Sequence, residues 1–345
     1  MDAMTKEPEV TLVVTPREKF SACRDSLDSI LADAGTPFRL VYVDGGSPGP
    51  VRRMIEDRAR RHGFEHLRLG RHLTPNRARL LGLARVRTPW TVFIDNDVVV
   101  SPGWLGTLLR CGQESGAAAV SPLICQGRPL HSVVHCAGGE CGVKEIATDE
   151  GVERHLHERI ARQGRKVADV RAKLVRGPTG LAEFHCVLVR TETARAPGMI
   201  DPDILNTREH IDFCMNVRAA GGEIWLEPDS LVTYLHDAPI GPSDLPYYML
   251  RWSDGWERRS LQHLIAKWGL TTKGTAGYRL GTVGWRRRQY LVSPFAERVA
   301  AMAPGGLARR AVRRVVMGGE RRLNALLCAL HERGERTGGS DRPPG

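Results

Sequence analysis

The chain has 345 residues, 41% of them hydrophobic, and a formal net charge of +11. That suffices to bury one large core or two modest ones, and no apolar run approaches the roughly 18–20 residues a membrane span requires. The stretch from Met1 to Glu9 is polar and acidic, with no signal-peptide pattern, so a cytoplasmic protein is expected. Eight scattered cysteines match reduced thiols better than a disulfide framework. Cys136 and Cys141, with His131 and His135 upstream, lack the ligand spacing of a zinc ribbon or finger. Positive charge gathers toward the C-terminus, at Arg286 to Arg288, Arg309, Arg310, Arg313, Arg314, Arg321 and Arg322. No zinc-finger, helix-turn-helix or aromatic RNA-binding signature accompanies it, so nucleic-acid binding is not expected. Peripheral contact of these basic helices with an anionic membrane and a merely solvated helix face both stay open.

In chain order, Val10 to Thr15 reads as a buried strand ended by Pro16, followed by a helix from about Ser21 to Ala34. Phe38 to Asp44 is a second strand and Val51 to Arg61 a helix with Pro before it and Gly63 after it. Glu65 to Leu69 is a short strand, and Pro75 to Ala84 a third helix. The Trp90 to Val100 segment carries a fourth strand, Gly103 to Gln113 is helical, and Ala117 to Ile124 is a fifth strand. Strands alternating with helices of this length predict a mostly parallel sheet with helices on both faces. From Gln126 to Gly180 the pattern loosens, with Gly151 to Gln163 predicted as an amphipathic helix. Leu181 to Arg190 then reads as a strand, and Thr207 or Arg208 to Ala220 as a helix. Glu223 to Leu226 and Leu231 to Leu235 are two short strands, finishing at His236. Pro239, Pro242 and Pro246 form a linker, beyond which Tyr247 to Gly269 and Arg286 to Arg333 look helical. The domains expected are 1–240 (in two halves, 10–125 and 126–240), a helical extension 241–333, and a disordered tail 334–345.

The chemistry concentrates in Phe93-Ile-Asp95-Asn96-Asp97. A buried strand delivers two carboxylates to its C-terminal end, where open α/β sheets bind ligands. A bend of the chain at Asn96, a residue that suits one, is expected where the two carboxylates serve one ligand. A hard divalent cation on a diphosphate needs one or two carboxylates. A strand end with plain Asp caps is the simpler alternative. Asp44, ending the second strand, suits a ribose or base edge and equally a turn cap. No Gly-x-Gly-x-x-Gly follows the first strand and no Walker sequence occurs, which argues against a dinucleotide oxidoreductase.

Taken together, these segments resemble an inverting, family 2 nucleotide-sugar glycosyltransferase of the GT-A fold. The resemblance runs from about Val10 to His236. It is carried by Val-Val-Thr-Pro-Arg-Glu (13–18), Val-Tyr-Val-Asp-Gly-Gly-Ser (41–47), Asn-Arg-Ala-Arg-Leu-Leu-Gly-Leu (76–83), Phe-Ile-Asp-Asn-Asp (93–97) and Pro-Gly-Met-Ile-Asp-Pro-Asp (197–203). It implies an α/β GT-A fold, here with a helical basic C-terminal extension, that moves a sugar from a nucleoside diphosphate sugar (UDP for preference) to an acceptor. The acceptor, whether small molecule, glycan, peptide or lipid-linked, is not identified, nor is the oligomeric state. Thr15, Pro16, Arg17 and Glu18 would line the nucleotide, Asp44 would meet base or ribose, and Arg79 the base or diphosphate. Asp95 and Asn96 would face the donor, and Asp97 and His236 would ligate Mg²⁺ or Mn²⁺. The family's base is usually the first Asp of Glu-Asp-x-Asp, whereas this chain has Glu209-His210-Ile211-Asp212. By register His210 is the base, with Glu209 and Asp212 as alternatives. The substitution also admits a catalytically silent GT-A-like binding protein. A nucleotidyltransferase is a further rival, although the loop after strand one lacks the glycines such an enzyme carries.

Overall fold

The computed structural model describes residues 7–33, 35–272 and 279–337. In chain order its strands are β1 (Val10–Thr15), β2 (Arg39–Gly45), β3 (Glu65–Leu69), β4 (Trp90–Asp95), β5 (Val98–Val100), β6 (Ala119–Gln126), β7 (Val134–Cys136), β8 (Gly139–Thr148), β9 (Gly151–Ile160), β10 (Gly177–Thr179), β11 (Cys186–Arg190) and β12 (Ile224–Tyr234). The helices are α1 (Cys23–Ala32), α2 (Gly49–His62), α3 (Pro75–Leu83), α4 (Trp104–Ser115), α5 (Val167–Val170), α6 (Thr191–Arg195), α7 (Glu209–Ala219), α8 (Leu245–Arg251), α9 (Asp254–Trp268), α10 (Ser293–Ala301) and α11 (Gly305–Thr337). A helical stretch, Trp285–Arg287, passes through a π-turn, Arg288–Val292, into α10.

The main sheet runs β10-β12-β6-β11-β4-β1-β2-β3, with β5 added to β12 and β7 to β6. Its first half, β3-β2-β1-β4, is wholly parallel, as alternating strands and helices predict. β11 then inserts antiparallel between β4 and β6, while β6 and β12 run parallel to each other. β1 and β4 are buried at every residue, because helices cover both faces, and this is why they read as continuous apolar runs. α3 lies so close over β1 that a Cβ on Gly82 would sit 2.2 Å from Cγ1 of Val13. That approach seats Arg79, three residues earlier on the helix, over the strand ends. The helical extension shares the principal core: Tyr247, Leu250, Trp256 and Cys328 belong to the same buried cluster as β1 and β4.

The structure corrects three local expectations. Gly151 to Gln163 is not a helix; most of it is β9, which pairs antiparallel with β8 through ten registered positions to form a separate two-stranded sheet. The apolar spacing of four that suggested a helix (Val152, Leu156, Ile160) is also an even number, so it serves one face of a strand equally well. Leu156 packs with Val143 against Ile204, Leu264 and Leu270, and that tertiary contact decides the outcome. The expected strand from Leu181 is extended only from Cys186, and the two short strands after Glu223 are one strand, β12, with an irregularity between Glu227 and Leu231. Of the tail, residues 334–337 finish α11, and 338–345 lie outside the described residues.

Filling the α3–β1 approach should overpack it. Gly82→Ala is expected to lower unfolding free energy by about 1–3 kcal/mol in chemical denaturation. Gly63→Ala, at a position of φ 71° with open space around it, should cost only the smaller backbone strain of a left-handed residue.

Candidate active site

The site lies at the carboxyl ends of β1, β2 and β4. The chain turns sharply at Asn96 and Asp97 before β5 leaves to pair with β12, so the bend expected at Asn96 is present. Asn96 makes that turn rigid. Its N–H donates to the Thr15 carbonyl at 3.0 Å, its Oδ1 accepts from Arg17 N–H at 2.8 Å, and its Nδ2 donates to Cys23 Sγ at 3.0 Å. The side chain is therefore spent on fastening the turn to the loop after β1.

The two carboxylates sit in opposite electrostatic states. Asp95 accepts from Arg17 Nη1 at 2.7 Å and from Thr15 Oγ1 at 3.3 Å, with Arg79 Nη2 3.7 Å away. Burial alone would push its pKa up, but Arg17, His185 and Arg79 hold it well below the usual carboxylate range. Asp97 is equally buried, yet both its oxygens lack a hydrogen-bond partner. Burial pushes its pKa up to about 8; Arg17 opposes this, and Asp95 and Glu18 add to it. A buried carboxylate without a partner is costly and marks a place where a cation belongs.

His185 completes that place. Asp95, Asp97 and His185 each offer a ligand atom, all within 4.8 Å of one another. His185 Nδ1 stands 3.2 Å from Asp95 Oδ2 without an aligned hydrogen bond, and its Nε2 is 3.5 Å from Glu183. Burial and then Arg17 lower its pKa to about 4, so the ring is neutral and able to ligate. Glu183 in turn pairs with His135 Nε2 at 2.9 Å, and His185 stacks on Tyr234 with centroids 4.1 Å apart. A carboxylate behind a histidine is how proteins orient a ligating imidazole. His236 is exposed beyond the end of β12 and belongs to none of the three-ligand clusters among the described residues.

The remaining donor-side residues divide between open and internally committed groups. Arg79 is wholly buried, with its guanidinium 3.8 Å from the Phe184 ring centroid and one bond to Asn76 Oδ1 at 2.8 Å. Its Nε and Nη2 have no hydrogen-bond partner, and burial lowers its pKa to about 10 against the pull of Asp95. Asp44 accepts from Ser47 N–H at 2.7 Å and lies 3.2 Å from His66 Nε2, so its oxygens already have local partners. Pro16 packs over Gly45, where an added Cβ would be 3.1 Å from the proline Cγ. Glu18 turns toward the helical extension, accepting from Trp252 Nε1 at 3.1 Å and lying 3.1 Å from Arg251 Nε. Burial raises its pKa, but Arg251 and Arg17 overcome that and hold it at about 2.

Across the cavity, α7 begins after two consecutive non-glycine residues in the left-handed region, Thr207 (φ 62°) and Arg208 (φ 65°). His210 Nε2 lies 2.7 Å from Glu158 Oε1 on β9, and Arg208 pairs with the same carboxylate. Glu209 sits 3.6 Å from Arg251. Asp212 faces elsewhere: it accepts from Lys267 Nζ at 2.9 Å, Trp268 Nε1 at 2.8 Å and Asn216 Nδ2 at 3.0 Å, which fixes α7 to α9. His210, Glu209, Glu183, His185, Arg17 and Arg286 line one cavity of about 180 Å³ between the donor turn and α7, and Asp212 is not among its lining. The sequence reading missed His185, Glu183, His135 and Glu158. Glu183 and His185 stood in a stretch that read as plain strand, and the structure leaves both outside β11. His135 and Glu158 come from segments whose place in space no local pattern reveals.

An open sheet with a parallel half, one antiparallel insertion and two carboxylates on the turn after β4 is consistent with the GT-A fold. Residues 12–129 match the family model described as Glycosyl transferase family 2. The chain is 27% identical over 229 residues to the "Pre-mycofactocin glycosyltransferase" of Mycobacterium tuberculosis, covering 66% of this chain and 43% of that protein. It is 24% identical over 277 residues to the "Uncharacterized protein y4gI" of Sinorhizobium fredii, covering 77% and 28% respectively. The chain thus spans less than half the length of these curated relatives. Among solved structures, GalNAc-T7 with UDP, GalNAc and Mn²⁺ aligns at TM-score 0.49 and 12% identity, over 82% of this chain and 57% of that one. Residues 1–349 of S. aureus TarS align at 0.46 and 14%, over 97% and 93%.

The unpartnered charge has a measurable consequence. Asp97 has a folded pKa of about 8 against an ordinary 3.8, so between those values the folded state holds a proton that the unfolded state has released. Wild-type stability should therefore fall as pH rises through that window. In metal-free buffer Asp97→Asn is expected to melt at a higher temperature than wild type at pH 8, with the difference closing toward pH 4. Equal melting curves at both pH values would contradict the assignment.

Proposed function

We propose that this chain is a metal-dependent, inverting glycosyltransferase that moves a sugar from a nucleoside diphosphate sugar, UDP-linked for preference, to an acceptor hydroxyl. The observation that carries the reading is Asp97, buried and unpartnered, beside Asp95 and neutral His185 and close to a guanidinium, Arg79, with two unpaired nitrogens. The donor set, carboxylate oxygen and imidazole, suits Mg²⁺ or Mn²⁺, with Asp97 and His185 as ligands and Asp95 in support. When bound, such a cation neutralises charge on the departing diphosphate. Arg79 and Arg17 bring fixed positive charge to the same place, without reorganisation in the transition state. Asn96 and Asp95 hold the turn, and Thr15, Pro16 and Asp44 shape the nucleotide end. His210 takes the acceptor proton from within the cavity. The mycobacterial relative is named a glycosyltransferase, which supports glycosyl transfer. All eight cysteines are free thiols, which accords with a cytoplasmic setting.

Calorimetric titration with UDP, GDP, CDP and TDP, each with and without Mn²⁺, tests this reading. Metal-dependent binding of one diphosphate, lost in Asp97→Ala, is expected. Absence of binding by every nucleotide under every metal would leave a GT-A fold without its chemistry.

The acceptor reading extends to a membrane surface. No described helix is long and apolar enough to cross a bilayer. Yet ten of the thirteen exposed large apolar residues among those described lie between Trp285 and Leu330, in the region that also carries the arginine clusters. That composition suits contact with an anionic lipid surface. The protein should float with vesicles containing phosphatidylserine and not with pure phosphatidylcholine. No flotation with anionic vesicles at about 0.15 M salt would remove membrane contact.

A further inference from the structure

We infer that Glu158, projecting from the β8–β9 hairpin, is the positioning residue that makes His210 a base acting through Nδ1. This rests on the glycosyltransferase reading above and adds a residue and an atom to it. The sequence places an imidazole where the resembling family has a carboxylate, and an imidazole has two nitrogens of opposite character when neutral. Glu158 lies 2.7 Å from His210 Nε2. An ionised carboxylate only accepts hydrogen bonds, so Nε2 carries the proton and donates it, which leaves the lone pair on Nδ1.

The ionisation of Glu158 is secured by its surroundings. Arg208, which directly precedes α7, pairs with it, and although burial raises its pKa, His210 and Arg208 hold it at about 2. The Arg208 cation also counts against reading Glu158, Glu183 and His210 as a second metal cluster, because the positive charge that carboxylate calls for is already supplied by the protein.

The groups facing His210 come from every neighbouring element: Glu158 from β9, Glu183 from the segment before β11, Glu209 and Arg208 at the start of α7, and Cys141 from β8. Burial lowers the imidazole pKa, and Glu158, Glu183 and Glu209 together more than reverse that, for a net rise. A more basic imidazole is a better proton acceptor as long as the pH keeps it neutral.

In the step itself, the acceptor O–H bond breaks while its oxygen forms a bond to the anomeric carbon. The proton passes to Nδ1, giving an imidazolium whose Nε2–H still faces Glu158. The bond from the anomeric carbon to the phosphate oxygen breaks on the opposite side, and the nucleoside diphosphate leaves with the electron pair. Glu158 thus stabilises the charge that forms on His210 and fixes the ring's tautomer without touching either substrate.

The test uses the full chain with the nucleotide sugar that donor titration identifies, and reads sugar transfer or, in the absence of acceptor, hydrolysis to the free diphosphate. In wild type, kcat/KM should rise with pH through a limb above the ordinary histidine pKa of 6.5. Glu158→Gln should move that limb to lower pH and reduce kcat about 10- to 100-fold, with nucleotide affinity unchanged. His210→Ala should lose about 10²–10⁴ in kcat, and adding Glu158→Gln to it should cost nothing further. Full activity in His210→Ala would overturn the base assignment itself. An inactive His210→Ala beside a Glu158→Gln enzyme with an unmoved pH limb would overturn only the role given to Glu158. Should Glu158→Gln fail to fold, Glu158→Asp serves instead. That variant keeps the charge at longer reach, and its limb should stay while kcat falls.

Discussion

The structure depends on an imbalance built into one turn. Arg17 neutralises Asp95 at 2.7 Å, and nothing neutralises Asp97 two residues later. If both carboxylates were paired the turn would be an ordinary structural element, and if neither were, two adjacent buried charges would be prohibitive. Asn96 makes the compromise tenable by bonding to Thr15, Arg17 and Cys23 at once, so the turn cannot relax outward to hydrate Asp97. The protein keeps a carboxyl group unpartnered in a dry place at a standing cost to its own stability, a pattern that belongs to binding sites more than to cores.

Around that turn, buried charges alternate in sign. Arg17 lies between Asp95 and Glu18, Arg251 between Glu18 and Glu209, and Arg79 close to Asp95. Through this network the loop after β1, the turn after β4, the start of α7 and the end of α8 are set relative to one another by electrostatics as much as by apolar packing. Glu18 and Asp212 are instructive here. Both resemble site residues in sequence, yet Glu18 ties the donor loop to Arg251 and Trp252, and Asp212 ties α7 to α9. They position the site by holding its walls.

Much of the donor half was legible because its elements announce themselves locally. β1 begins and ends where its apolar run does, α2 is bracketed by Pro and Gly63, and Asn96 marks the bend after β4. The acceptor half was less legible for identifiable reasons. An apolar spacing of four in Val152, Leu156 and Ile160 satisfies helix and strand alike, and only the contact of Leu156 with Leu264, more than a hundred residues on, selects the strand. His135, Glu158 and Glu183 arrive from β7, β9 and the segment before β11, brought together by tertiary packing, which no short-range pattern encodes. His236 fits a familiar register but stays exposed, while His185, on a segment that read as plain strand, lies against Asp95.

The β8–β9 hairpin forms its own two-stranded sheet and joins the main body through side-chain packing and short connections, outside the principal sheet's hydrogen-bonded order. It nevertheless sets Glu158 against His210 at the start of α7. The turn after β4 is fastened at several points, so a change in Asp95, Asn96 or Arg17 disturbs several bonds at once. The tip of the hairpin, residues 144–152, is exposed throughout, so it can vary in length or sequence at little cost to the core while the turn after β4 stays as it is.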